Sequence, residues 1–475
     1  MKKVIYLFLC LCILYPAMAI VTLPSTISDN MVLQRDLPVK LWGKADIDEA
    51  VSVTLNGYTV KTKAGKDGIW RVQLKAMPYG GPYEMTIKGK NTITLRNILI
   101  GDLWICSGQS NMEWHVSNSN NAATEINNAH YPNIRLLTVY KRMSNEPVLE
   151  ANTPGWVVCS PQTIGTFSAV SYYFGRELHK QLDIPIGLIN TSWGGTNVET
   201  WTSIPMMRTQ SEYAEKLDKL STLEMPAIIG PNDYPALLYN AMLAPLTQFP
   251  IKGAIWYQGE SNAGEAYKYR TLFPNMITDW RNAWGQGDFP FYFVQLANYM
   301  ATSAQPEESA WAELREAQHL TLKLPNTGEA VIIDIGEAGD IHPRNKQDVG
   351  YRLALNALAK TYGKELIYSG PEYQSMKIDG NKIILTFTHT ANGLIAKGKY
   401  GYLAGFSIAG EDRKFVWAKA YIEGNTVVVS NDQVSRPVAV RYAWANNPDD
   451  ANLYNSEGLP TSPFRTDEWT ISTQK

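Results

Sequence analysis

Four short segments carry residue types that could do chemistry, and each begins where an apolar run breaks off. The first is Ser107-Gly108-Gln109-Ser110-Asn111-Met112, after a strand-like run at residues 103–106. A serine at a strand-to-helix turn projects from the sheet edge, and its own N–H at the helix start can join an oxyanion hole. The same Ser and Asn types are also ordinary helix caps. The second is Asn190-Thr191-Ser192-Trp193-Gly194-Gly195-Thr196, whose paired glycines either let a backbone N–H approach a ligand closely or simply make a turn. The third is Trp256-Tyr257-Gln258-Gly259-Glu260-Ser261-Asn262. Its amide and carboxyl side chains could donate to a developing oxyanion or bind a hydroxylated substrate, or could cap a loop.

The fourth segment, Gly339-Asp340-Ile341-His342-Pro343, holds one of only six histidines. His179 and His319 fall in helix-period stretches, where a lone histidine is usually a surface or satisfied residue. His389 lies in a β-rich C-terminal stretch, and His130 in a polar linker ahead of a proline. His115 is near Ser110 in sequence, but five residues along a helix would turn it away. His342 remains, with Pro343 after it and Asp340 two before it. A neutral imidazole within hydrogen-bond reach of Ser110 would supply the general base that a serine nucleophile needs.

Other chemistries lack their parts. There is no His-Glu-x-x-His motif, and four cysteines, two of them in the first twelve residues, are too few for a structural zinc site. Neither metal nor cofactor is expected. Gly108-Gln109-Ser110-Asn111-Met112 is not the Gly-x-Ser-x-Gly elbow of α/β-hydrolases. The 45 acidic residues leave a two-carboxylate glycoside hydrolase open as a rival, and a carbohydrate-binding protein without activity is another.

These segments must be positioned by their neighbours. Strand-like runs at residues 103–106, 134–139, 186–190, 254–257, 291–296 and 331–335 alternate with helix-period stretches at 170–182, 234–246, 267–284, 310–324 and 347–362. Such alternation predicts an α/β fold with a mostly parallel sheet covered on both faces, and sites in that architecture lie beyond the carboxyl ends of the strands. Residues 20–100 read differently, with short β runs, an Asn56-Gly57 hairpin signal and Gly80-Gly81, and suggest a small β-sandwich. Residues 366–475 are again β-rich, and their tail, residues 446–464, is expected to be irregular. The catalytic domain is therefore expected at 101–365.

At the chain start, Lys2-Lys3, an apolar run over 4–14 and Ala17-Met18-Ala19 form a secretory signal pattern at residues 1–19. That pattern predicts export, to a periplasmic or extracellular location, with no stable membrane insertion. With 43 basic and 45 acidic residues the net charge is −2, which gives no electrostatic footprint for nucleic acid. Fourteen Trp, 26 Tyr and 12 Phe are the one compositional excess. They suit a stiff β-rich core or surfaces that stack on sugars.

Taken in order, the four segments resemble the blocks of the SGNH (GDSL-like) hydrolases, and specifically the sialate O-acetylesterase family of carbohydrate esterases. The stretches 440–448 and 458–465 are also similar to that family. The resemblance implies a three-layer hydrolase domain flanked by β-rich regions, and an O-acetylated sugar or glycan as substrate. It implies Ser110 as nucleophile, His342 as general base and then acid, and an oxyanion hole from the Ser110 N–H, a Gly194 or Gly195 N–H and one side-chain amide. Two positions depart from the superfamily pattern. Gly339 stands where an aspartate three before the histidine would be, so Asp340, Glu260 or a backbone carbonyl must orient His342. Ser261 stands where an asparagine would be, so the amide is that of Gln258 or Asn262. Glu260 and Trp193 are expected to bind substrate, and Trp114, Trp201 and Tyr257 to offer further stacking faces or to belong to the core. Within the family reading, an esterase of acetylated xylan or another polysaccharide is the alternative to a sialate esterase. The sequence carries no signal of oligomeric state.

Overall fold

The computed structural model describes residues 20–222 and 230–474; the leader expected at residues 1–19 lies outside them. A single long strand, Thr92–Gly108, organises the chain. Its first half pairs antiparallel with Gly80–Lys88 and parallel with Val32–Gln34, in a sheet that also contains the Ala50–Leu55 and Tyr58–Lys63 hairpin. That hairpin closes at Asn56 and Gly57, both at positive φ, which is the turn conformation the Asn-Gly signal predicts. A second pair, Val39–Lys44 with Ile69–Leu74, completes the N-terminal β region.

The second half of Thr92–Gly108 lies at the centre of a seven-stranded path. Its order is Thr327–Ala330, Phe291–Val294, Gly253–Tyr257, Thr92–Gly108, Ile186–Ser192, Tyr131–Thr138 and Val157–Cys159. All pairs are parallel except the last. Side chains alternate across a strand, and this one is buried on both faces. Leu103 and Ile105 join a core shared with the helices Ala266–Trp284 and Ala310–Leu320. Trp104 and Cys106 join a second core with Ala169–Leu182 and Lys346–Asn356. The predicted helix–sheet–helix layering is what forms. Among the described residues, no helix is long and apolar enough to cross a membrane.

Two expectations fail, one to a core remote in sequence and one to a proline within the segment. The strand expected at 331–335 is instead Thr327–Ala330, whose pairing with Phe291–Val294 ends at Val294 opposite Ala330. The more apolar residues that follow are drawn away from the sheet, with Val331 and Ile333 packing into the C-terminal core and Ile332 into the central one. The helix expected at 234–246 starts only at residue 237 and passes at once into a wide turn, Tyr239–Leu243, followed by the tight turn Ala244–Leu246. Pro245 has no N–H to continue the regular ladder.

The C-terminal region forms two four-stranded antiparallel sheets and a two-stranded one, Leu394–Ala396 with Leu453–Asn455, around its own core, and the helix Ala310–Leu320 holds it to the central domain. Arg315, fully buried, donates to the carbonyls of Leu296 (2.8 Å), Ala297 (2.7 Å), Ala445 (2.7 Å) and Asn446 (3.0 Å). Two turns of strand end and C-terminal tail are thus tied to one guanidinium. Glu313, also fully buried, accepts from the backbone N–H groups and hydroxyls of Ser472 and Thr473. Arg315→Met is expected to strand several buried carbonyls and to lower stability by about 3 kcal/mol or more. A urea midpoint equal to that of the unaltered protein would show that the clamp contributes little.

Candidate active site

Three of the four segments arrive on three adjacent strands. Gly108 ends the central strand, with Ser192 opposite it on one side and Tyr257 on the other. Gly108 has φ of +144°, and a Cβ there would sit 2.1 Å from the Tyr257 carbonyl oxygen, so only glycine lets the chain leave the sheet at this point. Gln109 N–H donates to that same oxygen (3.0 Å), and Gln109 Oε1 accepts from Gly259 and Ser261 N–H (both 3.3 Å). Ser110 then opens a one-turn helix, Ser110–Glu113.

His342 comes from farther away, on the irregular segment that follows Thr327–Ala330. Its Nε2 lies 2.9 Å from Ser110 Oγ, across 232 positions of sequence. Asp340 Oδ1 accepts the backbone N–H of His342 (2.9 Å) and sits 3.5 Å from Nδ1 on the far side of the ring. Of the candidate orienters, Asp340 is therefore the one at the Nδ1 edge. Glu260 is hydrogen-bonded to Asn111 instead (2.6 Å). The imidazole stacks on Trp114, with centroids 5.1 Å apart and planes at 13°. Burial, and then the Lys346 charge, hold the His342 pKa below its ordinary 6.5, partly opposed by Asp340. A neutral ring with Nε2 facing a serine hydroxyl can take a proton.

The glycine segment reaches the same place. A Cβ on Gly194 would meet Ser110 Cβ at 3.1 Å. The Gly194 N–H, however, donates to Glu113 Oε2 (2.8 Å). Among the described residues the N–H groups of Gly195 and Ser110 have no acceptor, and Gly195 is held by Asn232 Nδ2 on its carbonyl (2.7 Å).

Neither amide expected to complete an oxyanion hole is directed there. Gln258, fully buried, donates to Thr196 O (3.0 Å) and Asn262 Oδ1 (2.7 Å), while its Oε1 accepts from Tyr269 (2.8 Å). Asn262 accepts from Val198 N–H (3.0 Å) and donates to Glu199 (3.0 Å). Irregular backbone leaving a strand needs partners, and these two amides supply them for residues 196–199. They brace the glycine loop.

The aromatic candidates divide. Trp201 and Tyr257 are fully buried core. Trp193 is half-buried, with Lys141 Nζ 5.7 Å from its ring centroid, and Trp114 backs the histidine. His115 is not carried on a helix as expected, because the helix stops at Glu113. It lines a cavity of about 560 Å3 beside the Ser110–Glu113 turn, together with Glu113, Tyr140, Lys141, Gln162 and Ser192. The side chains of three of the other four histidines have local partners: His179 with Ile184 O, His319 with Glu329, and His389 with Tyr368.

Sequence reasoning missed two residues. Asn111 Nδ2 donates to Ile341 O (3.0 Å) as well as to Glu260, and its Oδ1 accepts from Lys346 Nζ. Its place beside Ser110 was the available signal. Lys346 reads as the polar start of a helix, and only its spacing of four from His342 hints at more.

Residues 100–358 match the family described as carbohydrate esterase, sialic acid-specific acetylesterase. The chain is 33% identical to the sialate O-acetylesterase of Homo sapiens, over 93% of this chain and 91% of that one. It is likewise 33% identical to the sialate O-acetylesterase of Mus musculus, over 93% of each. A crystal structure of a carbohydrate acetylesterase from Xanthomonas citri superposes with a TM-score of 0.88 at 42% identity, covering 95% of this chain and all of that one. With a strand-end serine, a strand-end glycine pair and a distant histidine converging in a layered α/β domain, and with relatives matched along nearly its whole length, the chain belongs to the sialic acid-specific acetylesterase family of carbohydrate esterases.

Proposed function

We propose that this chain hydrolyses O-acetyl esters of sialic acid, through an acetyl-enzyme on Ser110. The observation that carries the mechanism is the 2.9 Å contact between His342 Nε2 and Ser110 Oγ. Ser110 Oγ attacks the acetyl carbonyl carbon while His342 Nε2 takes the hydroxyl proton. The oxyanion is held by the N–H groups of Ser110 and Gly195, which have no other acceptor among the described residues. Collapse expels the sugar oxygen, which leaves with the proton from His342. Water then attacks the acetyl-enzyme with His342 again as base, releasing acetate. Asp340 holds the imidazole by its backbone N–H and at Nδ1, a task the histidine-orienting carboxylate performs in serine hydrolases generally.

The sugar side of the ester is assigned to the cavity of about 560 Å3 beside the nucleophile. Its wall includes the Lys141–Glu113 ion pair (2.6 Å) and the polar side chains of His115, Gln162 and Ser192, a set suited to a hydroxylated sugar. The named activity of the human and mouse relatives supports the same substrate. The leader pattern at residues 1–19 supports action outside the cytoplasm.

Acetate release measured in parallel from O-acetyl sialic acid, acetylated xylan and 4-nitrophenyl acetate tests the reading. O-acetyl sialic acid is expected to give the highest kcat/KM of the two sugars, and preference for xylan would overturn the substrate assignment. Ser110→Ala is expected to lose about 10⁵-fold or more in kcat on every substrate; turnover close to normal would remove Ser110 from its role.

The pH profile has a definite sign. His342 acts only when neutral, and its pKa lies below 6.5. Plotted as kcat/KM, activity should hold as pH falls through 6.5 and decline only at a lower pH, as the folded protein's His342 protonates. A decline centred above pH 6.5 would contradict this.

A further inference from the structure

Lys346 is fully buried, although among the described residues no carboxylate lies within ion-pair distance of it. It is also the first residue of the helix Lys346–Asn356, the end at which a helix disfavours positive charge. Two costs therefore fall on one side chain, and neither is repaid by a contact that packing alone requires. Its Nζ donates to Asn111 Oδ1 and lies 5.8 Å from the Trp114 ring centroid and 5.3 Å from that of Tyr257. Asn111 follows the nucleophile, and Trp114 is the ring on which His342 stacks.

A lysine ammonium has donors only, so the Asn111 atom facing it must be the carbonyl oxygen. That choice turns the Asn111 amide nitrogen toward Ile341 O (3.0 Å) and Glu260 Oε1 (2.6 Å). Ile341 is the residue before His342. The amide therefore ties the nucleophile turn to the histidine segment, and Lys346 sets which way it points. Glu260 Oε2 is shut off from water with no hydrogen-bond partner among the described residues, so this cluster is held together without full satisfaction of its polar atoms. Buried polar groups in that condition are costly.

We propose that Lys346 is a positioning residue for the esterase reaction, orienting Asn111 to lock His342 onto Ser110 and, by its positive charge, disfavouring protonation of the His342 ring. This rests on the Ser110–His342 reading above. The charged and titratable groups facing Lys346 are Glu260 from the third segment, Asp340 and Glu337 from the histidine segment, and His342 itself; the Tyr257 ring lies against it. Burial pulls the lysine down to about 7, opposed by those three carboxylates. It is therefore charged throughout the more acidic range in which His342 titrates, where its charge matters.

The test compares kcat and kcat/KM against pH on 4-nitrophenyl acetate for the unaltered protein, Lys346→Arg, Lys346→Gln and Lys346→Met, with thermal unfolding of each. Lys346→Met removes both charge and donor. The acid limb is expected to move up by about one pH unit, and kcat to fall about 10- to 100-fold with KM little changed. Lys346→Gln keeps a donor for Asn111 but no charge, so it should move the limb while retaining more of kcat. Lys346→Arg, which keeps the charge, should leave the limb in place. An unmoved limb and a normal kcat in folded Lys346→Met and Lys346→Gln would overturn the proposal. Loss of folding in all three variants would also overturn it, by assigning Lys346 to folding. Ser110→Ala run alongside separates the two readings: if it stays active the nucleophile assignment fails, and if it is inactive while the Lys346 variants behave normally, only the role of Lys346 fails.

Discussion

A hydrogen bond of 2.9 Å between Ser110 and His342 joins two residues 232 positions apart in the chain, and the molecule is arranged around keeping it short. The serine is delivered by a strand with two parallel neighbours, so its backbone has almost no freedom up to Gly108. The histidine has no such support. It lies beyond the edge strand Thr327–Ala330, on irregular backbone fixed by side chains: Asp340 to its own N–H, Asn111 to the carbonyl before it, and Trp114 under its ring. Rigid sheet on one side and a polar clamp on the other make the contact.

That clamp is expensive, and the rest of the fold offsets it. Glu260 and Lys346 are both withdrawn from water at the carboxyl edge of the sheet, with burial raising the carboxylate's pKa and lowering the lysine's. Such groups destabilise the folded state unless other terms exceed them. The compensating terms lie close by: the two cores on either face of the central sheet, with Trp104 in one and Trp256 and Trp280 in the other, all fully buried. Much of the aromatic excess in the composition is spent there rather than on sugar. The helix Ala310–Leu320 adds a second restraint, tying the C-terminal tail to the strand ends through Arg315 and Glu313.

Legibility in the sequence follows what each feature depends on. The strands at 103–106, 186–190 and 254–257 are readable because an apolar run bounded by polar turn residues is a local signal, and central burial reinforces it. Ser110 and His342 are readable because their residue types are chemically distinctive and competing histidines are few. What fails depends on partners remote in sequence. The 331–335 run looks like a strand but is claimed by a C-terminal core that no local pattern announces. Gln258 and Asn262 look like oxyanion donors but are required by the unpaired backbone of residues 196–199. His115 falls outside the helix expected for it because that helix closes at Glu113, after four residues. Lys346 is hidden altogether, since a lysine at a helix start gives no sign that it is buried.

The proposed reaction passes through a covalent acetyl group at Ser110. Acid quenching of the protein during turnover of 4-nitrophenyl acetate, followed by mass spectrometry of its peptides, measures this directly. The expected result is the mass of one acetyl group on the peptide carrying Ser110. An acetyl group located on another residue, or none while turnover is at full burst, would contradict it.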